Sequence, residues 1–351
     1  MILNCMLGSG YGGLEKLFLD EIEMLPPAGF PTRGIVRRQS QLAGYAQTRQ
    51  IEFDEITMWS DWDPITIARA RGIVRRRAPA LIMTVGRQAH RLFGRAVGSK
   101  IPIVPMVQKR RFDRDLPYAG VFVAAEHRRR TLIEDGVARE NIAVIPNAVR
   151  LPAQPKTDYR FAPDGPVKFV AHGRLHEKKG YGVLVEAIAL IARDGIDCSC
   201  SIAGDGPERH ALQIQIERNN LESRIELPGW TDSVAEFLIP GDIFVLPSFQ
   251  EDFPLAVLDA MASGMPIVAS AIDGPKDFLV EGENALLVPP GDPAALAEAL
   301  KRLIDDDRLR ESLGRAARAG AVARYSFEAV GQQLAHALRN VLAGRPISTN
   351  L

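Results

Sequence analysis

Three glycine-bearing turns and one pair of carboxylates are the parts of this chain equipped for chemistry. The run Gly8-Ser9-Gly10-Tyr11-Gly12-Gly13 stands between an apolar stretch, ILNCML, and a helical pattern at Leu14, Leu17 and Phe18. Glycines in that position let backbone N–H groups approach a phosphate at a helix N-terminus, where the dipole favours negative charge. A second run, His172-Gly173-Arg174-Leu175-His176-Glu177-Lys178-Lys179-Gly180, follows the β-rich VKFVAH and sets Arg174 and Lys179 near one helix start. Both cations can be aimed at a diphosphate. Ala203-Gly204-Asp205-Gly206-Pro207-Glu208 is a turn closing a strand, and turn chemistry alone accounts for its glycines and proline. Glu251 opens the helical run LAVLDAMA, and Asp259 follows a little over two turns deeper. A carboxylate at a helix mouth often only balances the dipole. A pair at this spacing can also grip the hydroxyls of a sugar and a ribose.

The glycines 8, 10 and 13 spell the dinucleotide fingerprint as well, which asks for an acidic residue about 20 positions on to hold the ribose. The chain offers Arg33, Arg37 and Arg38 there, so the oxidoreductase alternative is NADP-dependent rather than NAD-dependent. That alternative leaves GRLHEKKG and EDFPLAVLDA without a role.

Short β-rich segments and helical patterns must position these residues. In the second half VKFVAH, CSCSIAG, RIEL, DIFVLPS, PIVAS and ALLVPP alternate with helical patterns such as Val183, Leu184, Ala187, Ile188 and Ile191. In the first half ILNCML, TRGIV, ALIMTV, IPIVPMV, AGVFVAA and NIAVIP have the same character, with helices expected over 64–77 and 87–98. Strands alternating with helices predict parallel, doubly wound sheets. The proline-bearing, aperiodic stretch 151–166 reads as a linker between a first domain, 1–150, and a second, 167–326. A final helix, 327–342, carries an apolar stripe of Phe327, Val330, Leu334, Leu338 and Val341, expected to dock back on the first domain.

The composition is that of a folded protein of two domains, with 351 residues of which 46% are hydrophobic. Three cysteines, Cys5, Cys198 and Cys200, are too few for a disulfide framework. The N-terminus lacks a signal-peptide pattern, and no apolar run reaches the ~20 residues of a membrane span, so a cytoplasmic setting is expected. The formal net charge of zero hides an asymmetry. Residues 1–150 hold 23 Lys and Arg against 15 Asp and Glu, and residues 151–351 hold 20 against 28. Arginine clusters at 69–77 and 128–130, with Lys109, Arg110 and Arg111 between them, point to an anionic partner for the first half.

Taken in order, GSGYGGLEK, NIAVIPNAV, GRLHEKKG, IAGDGPE, LPGW, DIFVLPSFQEDFPLAVLDAMASGMPIVAS and NALLVPPGDPAALAEAL resemble the retaining glycosyltransferases of family 4, the glycosyl transferases group 1. The resemblance covers roughly residues 2 to 340. It implies an α/β chain of the GT-B fold, two Rossmann-like doubly wound domains facing a deep cleft. The donor, a nucleotide-diphosphate sugar linked to UDP or GDP, would bind mainly to the second domain and the acceptor mainly to the first. The resemblance makes Glu251, Arg174 and Lys179 the catalytic residues. Arg174 and Lys179 match the basic pair on the diphosphate, and Glu251 matches the first glutamate of the Glu–seven residues–Glu signature. Donor contacts fall on Gly12, Gly13, Gln108, Gly173, Gly204, Asp205, Phe253, Pro254, Leu255, Ala256 and Asp259.

Two positions depart from the family pattern. Asp259 stands for the second glutamate, a carboxylate one methylene shorter, and Gln108 stands where many members have a histidine. His90 and His172 do not take that histidine's place and read as packed or surface imidazoles. The family chemistry needs no metal and no cofactor. Asp61-Trp62-Asp63 and Asp113-Arg114-Asp115 therefore read as loop and helix-cap residues.

For the acceptor, the resemblance implies a saccharide or glycolipid, often anionic and lipid-linked, of lipopolysaccharide, exopolysaccharide or glycolipid synthesis. Nucleic acid is not expected as a partner. Arginines among Ile65, Ile67, Val74, Leu92, Phe93 and Val97 suit peripheral attachment to an anionic membrane surface on the inner face of the cell membrane. An epimerase-like or phosphorylase-like enzyme, or a non-catalytic nucleotide-sugar binder, would keep the fold without the transfer.

Overall fold

The computed structural model describes residues 1–10, 12–107, 113–161, 165–231 and 233–347. The chain divides into two compact units, Met1–Ala148 with Phe327–Leu351, and Val149–Ser326.

The first unit runs β1 (Ile2–Met6), α1 (Gly13–Met24), β2 (Thr32–Arg37), α2 (Gln41–Thr48), β3 (Phe53–Ile56), α3 (Pro64–Arg77), β4 (Leu81–Val85), α4 (Arg87–Val97), β5 (Ile103–Met106), β6 (Val121–Val123), α5 (Glu126–Glu134) and β7 (Ile142–Val144). Its sheet is parallel in the order β3-β2-β1-β4-β5-β6-β7. β1 and β4 are buried at every residue, as strands covered on both faces must be. Ile2, Met6, Met83 and Val85 pack with α1 on one face, while Leu3, Cys5 and Ile82 pack with α3 and α4 on the other.

The second unit runs β8 (Val167–His172), α6 (Tyr181–Arg193), β9 (Cys198–Ala203), α7 (Arg209–Arg218), β10 (Ile225–Gly229), α8 (Val234–Leu238), β11 (Ile243–Leu246), α9 (Leu255–Ala262), β12 (Ile267–Ser270), β13 (Leu286–Val288), α10 (Pro293–Asp305) and α11 (Asp307–Gly320). Its sheet is parallel in the order β10-β9-β8-β11-β12-β13. The last helix, α12 (Phe327–Leu342), belongs to the first unit, where Val330, Leu334 and Leu338 join Leu17, Phe18 and Ile22 of α1 in one apolar cluster.

The stretch 151–166, expected as a linker, packs on the second unit. Tyr159 is buried in the second unit, its hydroxyl donating to the Gly264 carbonyl at 3.0 Å. Arg310, also buried, donates to the Tyr159 carbonyl at 3.0 Å and lies 3.7 Å over the Phe161 ring. Lys156 reaches the Gly241 carbonyl at 3.0 Å. β3 leaves no strand signal because its sequence, FDEI, sets two acidic residues side by side between two apolar ones, without period-2 alternation. Asp54 is held there by Arg77 at 2.7 Å and Arg33 at 3.3 Å.

One carboxyl of the first unit lies wholly inside. Glu21 of α1 is buried and accepts from the Asn4 side chain on β1 at 2.7 Å. Burial pushes its carboxyl up to about 8, against the pull of the Asn4 bond and with a smaller push from Asp20. The neutral acid is thus the form the fold prefers, and its ordinary value in the unfolded chain is 4.5. The stability it contributes is complete below that value and is lost as pH rises through about 8. Each unit of that gap is worth ~1.4 kcal/mol. Glu21→Gln should therefore flatten the fall in stability between pH 5 and 9 and raise the midpoint of denaturant unfolding on the alkaline side. Equal slopes for the variant and the wild type would refute this account of Glu21.

Candidate functional site

In each sheet the chain order reverses beside the first strand, between β1 and β4 in the first unit and between β8 and β11 in the second. Open α/β sheets bind ligands outside the carboxyl ends of their strands at such switch points. The second unit brings GRLHEKKG, after β8, and SFQEDFP, after β11, to that place.

Lys179 and Glu251 meet there. The Lys179 ammonium donates to Glu251 Oε1 at 2.6 Å, and the Ser248 hydroxyl donates to the same oxygen at 2.8 Å. Ser248 is buried, and the Glu251 side chain is only 10% exposed, so this carboxylate is held in one orientation by two donors. The Tyr181 phenol lies beneath, its acidity suppressed by burial and then by the charge of Glu251. Arg174, next in sequence to Gly173, is exposed and makes no hydrogen bond or ion pair with any described residue. The two cations expected on a diphosphate thus differ: Lys179 is braced, and Arg174 is free to turn.

The turns pack backbone on backbone. Gly173 lies at φ +147° and Gly204 at φ +141°, and a Cβ on Gly204 would stand 1.9 Å from the Gly173 carbonyl oxygen. Gly180, at φ +63°, would place a Cβ 2.1 Å from the Pro247 carbonyl oxygen. Asp205 contributes its carbonyl, which accepts from Leu175 N at 2.9 Å, while its side chain pairs with Arg209 at 3.2 Å on the surface.

Pro254 occupies the N-cap position of α9, with no side chain capping the helix. The first N–H groups of a helix have no partner within it, so the amides of Leu255 and Ala256 are a ready anion cradle. The Phe253 side chain turns inward against Phe278, ring centroids 4.6 Å apart, and anchors the helix start. Asp259, one turn along α9, has Oδ2 3.7 Å from His172 Nε2 at the end of β8. His172 is packed between Phe244 and Phe237. Burial first, and the Lys179 charge second, push its imidazole down to about 4, so it is neutral at physiological pH. The sequence marked His172 only as a packed imidazole and gave no sign of its approach to Asp259. The identity of the side chain beneath a binding turn depends on which strand faces which helix.

The other residues expected to contact a donor belong to the first unit. Gly12 is the N-cap of α1, and Gly13 is its first residue. Gly10 has open space where a Cβ would stand, but at Gly8 it would come within 2.9 Å of the Glu15 carboxylate, which also lies against Gly12. A carboxylate already fills part of the helix mouth that the dinucleotide reading reserves for pyrophosphate. Arg33 is paired with Glu52 and Asp54, and Arg38 with Glu55, so two of the three arginines offered to NADP are engaged. Gln108, and with it Lys109, Arg110 and Arg111, lies outside the described residues.

The apolar residues expected to face a membrane mostly do not. Val74, Leu92, Phe93 and Val97 are buried in one cluster of the first unit, Ile67 packs against that cluster, and Ile65 alone is exposed. Among the described residues no helix is long and apolar enough to cross a membrane. Much of the basic excess is also spent internally. Arg87 and Arg91 hold Asp113 at 2.7 and 2.8 Å, Arg95 holds Asp61 at 3.2 Å, and Arg77 holds Asp54. Asp63 caps α3, accepting from Thr66 N at 2.7 Å.

Comparison with known proteins agrees with this geometry. Residues 166–306 match the family model described as glycosyl transferases group 1. The lipopolysaccharide core biosynthesis glycosyltransferase LpsE of Rhizobium meliloti is 26% identical over 346 residues, covering 95% of this chain and 97% of LpsE. The alpha-D-kanosaminyltransferase of Streptomyces kanamyceticus is 34% identical over 171 residues, 48% of this chain and 44% of that enzyme. The chain thus spans nearly all of LpsE but less than half the length of that second relative. Among solved structures, Anabaena Alr3699/HepE in complex with UDP superposes with a TM-score of 0.84 at 19% identity, covering 97% of this chain and 99% of that one. Sucrose-phosphate synthase from Thermosynechococcus elongatus gives 0.78 at 20%, covering 97% and 99%. With residues 166–306 of its second unit similar to the glycosyl transferases group 1, and parallel doubly wound sheets in both units, the chain has the GT-B fold of glycosyltransferases.

Proposed function

We propose that the protein is a retaining, metal-independent glycosyltransferase that moves a sugar from a UDP- or GDP-linked donor to a saccharide or glycolipid acceptor in the synthesis of a surface polysaccharide. The observation that carries this reading is the Lys179–Glu251–Ser248 constellation at 2.6 and 2.8 Å, set beside the uncapped start of α9 at the β8/β11 switch point. HepE, whose fold this chain has, is described in complex with UDP and with UDP-glucose, which favours UDP over GDP. LpsE and LpsD of Rhizobium meliloti, both named lipopolysaccharide core biosynthesis glycosyltransferases, favour a saccharide acceptor.

In this mechanism the bond between the anomeric carbon and the diphosphate oxygen breaks, and its electron pair leaves with the diphosphate. Arg174, Lys179 and the Leu255 and Ala256 amides meet the charge that develops there, an electrostatic contribution of the oxyanion-hole type. Glu251, fixed by its two donors, accepts hydrogen bonds from the transferred sugar, and Asp259 receives the ribose hydroxyls. The acceptor oxygen then bonds to the anomeric carbon on the face the diphosphate leaves. Its proton passes to the departing phosphate oxygen, so configuration is retained without a protein nucleophile.

Thermal unfolding against UDP, GDP, ADP and NADPH tests the donor. A nucleoside diphosphate at 100 times its Kd should add about 2.7 kcal/mol and raise Tm by a few degrees. A rise with NADPH alone would overturn the reading. Arg174→Ala and Lys179→Ala should each lower the transfer rate on the order of 10²–10³-fold and weaken the nucleotide-induced shift. Glu251→Ala should abolish transfer while keeping most of that shift. Full activity in all three variants would show that the reaction takes place elsewhere.

A further inference from the structure

The loop that follows β3, residues 57–63, carries two indoles that the fold does not use. Trp59 is 75% exposed and Trp62 is 72% exposed, and Ile65 beside them is 50% exposed. Neither indole has a hydrogen bond or a ring contact with another described residue. Exposing two large aromatic groups a few residues apart forgoes burial worth a few kcal/mol, and such patches on monomers mark binding surfaces.

The loop is also held rigid. Arg95 donates to both the carbonyl and the carboxylate of Asp61, each at 3.2 Å, and Arg91 approaches the same carboxylate at 3.9 Å. Ser60 Oγ accepts from Asp63 N at 3.1 Å, and Asp63 accepts from the Thr66 hydroxyl at 2.6 Å. Trp59 N donates to that hydroxyl oxygen at 3.4 Å, and Arg69 reaches the Thr57 carbonyl at 2.9 Å. A loop fixed at every second residue presents its indoles with little backbone ordering cost on binding.

Its place follows from the topology. The loop leaves the carboxyl end of β3, on the same sheet edge as the glycine turn after β1 and two strands away from it. At about 4.8 Å per strand that is a displacement of roughly 10 Å, about two pyranose units.

We propose that Trp59 and Trp62 form a stacking platform for the sugar rings of an extended saccharide acceptor, beyond the unit that receives the transferred sugar. This rests on the glycosyltransferase reading and narrows it to an oligosaccharide or its lipid-linked form rather than a single sugar. The C–H faces of a pyranose lie flat on an indole, and the free indole N–H groups can donate to hydroxyls. A bilayer surface is the other partner that draws exposed tryptophans, but the charges beside these two oppose an anionic one. Asp61 and Asp63 flank Trp62, and the nearest arginines are engaged with Asp61, Asp113 and backbone carbonyls. Arg75 and Arg76, which have no such partner among the described residues, stand at the far end of α3, roughly 15 Å along its axis.

The test compares the full chain with Trp59→Ala, Trp62→Ala and the double variant on an array of bacterial oligosaccharides, alongside flotation with phosphatidylglycerol vesicles. Both side chains are on the surface, so the variants should melt with the wild type and keep its nucleoside-diphosphate shift. The wild type should bind a subset of the oligosaccharides, each alanine should weaken that binding by about tenfold, and Trp→Tyr at the same positions should restore part of it. In turnover with a bound oligosaccharide, the acceptor KM should rise while the donor KM holds. Undiminished array binding by the double variant, no oligosaccharide bound by the wild type, or indole-dependent flotation without oligosaccharide binding would each overturn the platform. Failure of the underlying reading would show separately, as a wild type that no nucleoside diphosphate stabilises.

Discussion

The absence of a Cβ at three glycines sets the geometry of the second unit's site. The carbonyl oxygens of Gly173, Pro247 and Asp252 stand 1.9, 2.1 and 2.5 Å from where a Cβ would lie on Gly204, Gly180 and Gly274. Each distance is far inside van der Waals contact, so at each point one loop rests on the bare backbone of another. The turns after β8, β9, β11 and β12 are thereby pressed into one layer over the carboxyl ends of the sheet. Only in that layer can Lys179, on the first of these turns, meet Glu251, on the third, at 2.6 Å. A side chain at any of the three glycines would separate the loops and carry the cation away from the carboxylate. All three glycines also have positive φ, where a side chain is strained whatever the space.

That dependence explains which parts of the molecule can be read from its sequence. Strands buried on both faces are short apolar runs bounded by turns, and β1, β4 and β11 stand out for that reason. The helix 64–77 is equally legible, since Asp63 and Pro64 announce its cap and first turn. The glycine turns of the candidate site are recognisable because close backbone approach demands glycine and so leaves a mark in the sequence. β3 left no such mark. It is an edge strand whose Asp54 is held by Arg33 of β2 and Arg77 at the end of α3, and no local pattern records partners that lie more than 20 residues away.

Buried charge was hidden for the same reason. Arg310 reads as one more arginine on an amphipathic helix, yet its guanidinium is spent on the backbone of Tyr159 and on the last carbonyls of α10. It thereby seats the proline-bearing stretch 151–166 on the second unit. Glu21 reads as a surface glutamate beside Asp20 and Glu23, but α1 turns it towards Asn4 inside the core. The basic excess of the first 150 residues likewise loses part of its apparent meaning. Asp54, Asp61 and Asp113 each hold two arginines, so the tally of charge overstated the cation left for a partner.

The electrostatics around Lys179 then carry the argument for the site one step further. Its ammonium is braced by Glu251, and its field helps keep His172 neutral behind Asp259. A neutral imidazole brings no positive charge to compete for Asp259, whose carboxylate can turn its remaining acceptor capacity outward. Arg174 is exposed and unpaired among the described residues, so engaging an anion costs it no existing ion pair. One cation is preorganised and the other recruitable. The preorganised one shares its carboxylate partner with the position proposed for the transferred sugar. As negative charge develops on a leaving diphosphate, Lys179 can shift its hydrogen bonding towards that charge while Ser248 keeps Glu251 in place. In the proposed reaction, the second donor on Glu251 would therefore decouple the orientation of the carboxylate from the charge that Lys179 delivers.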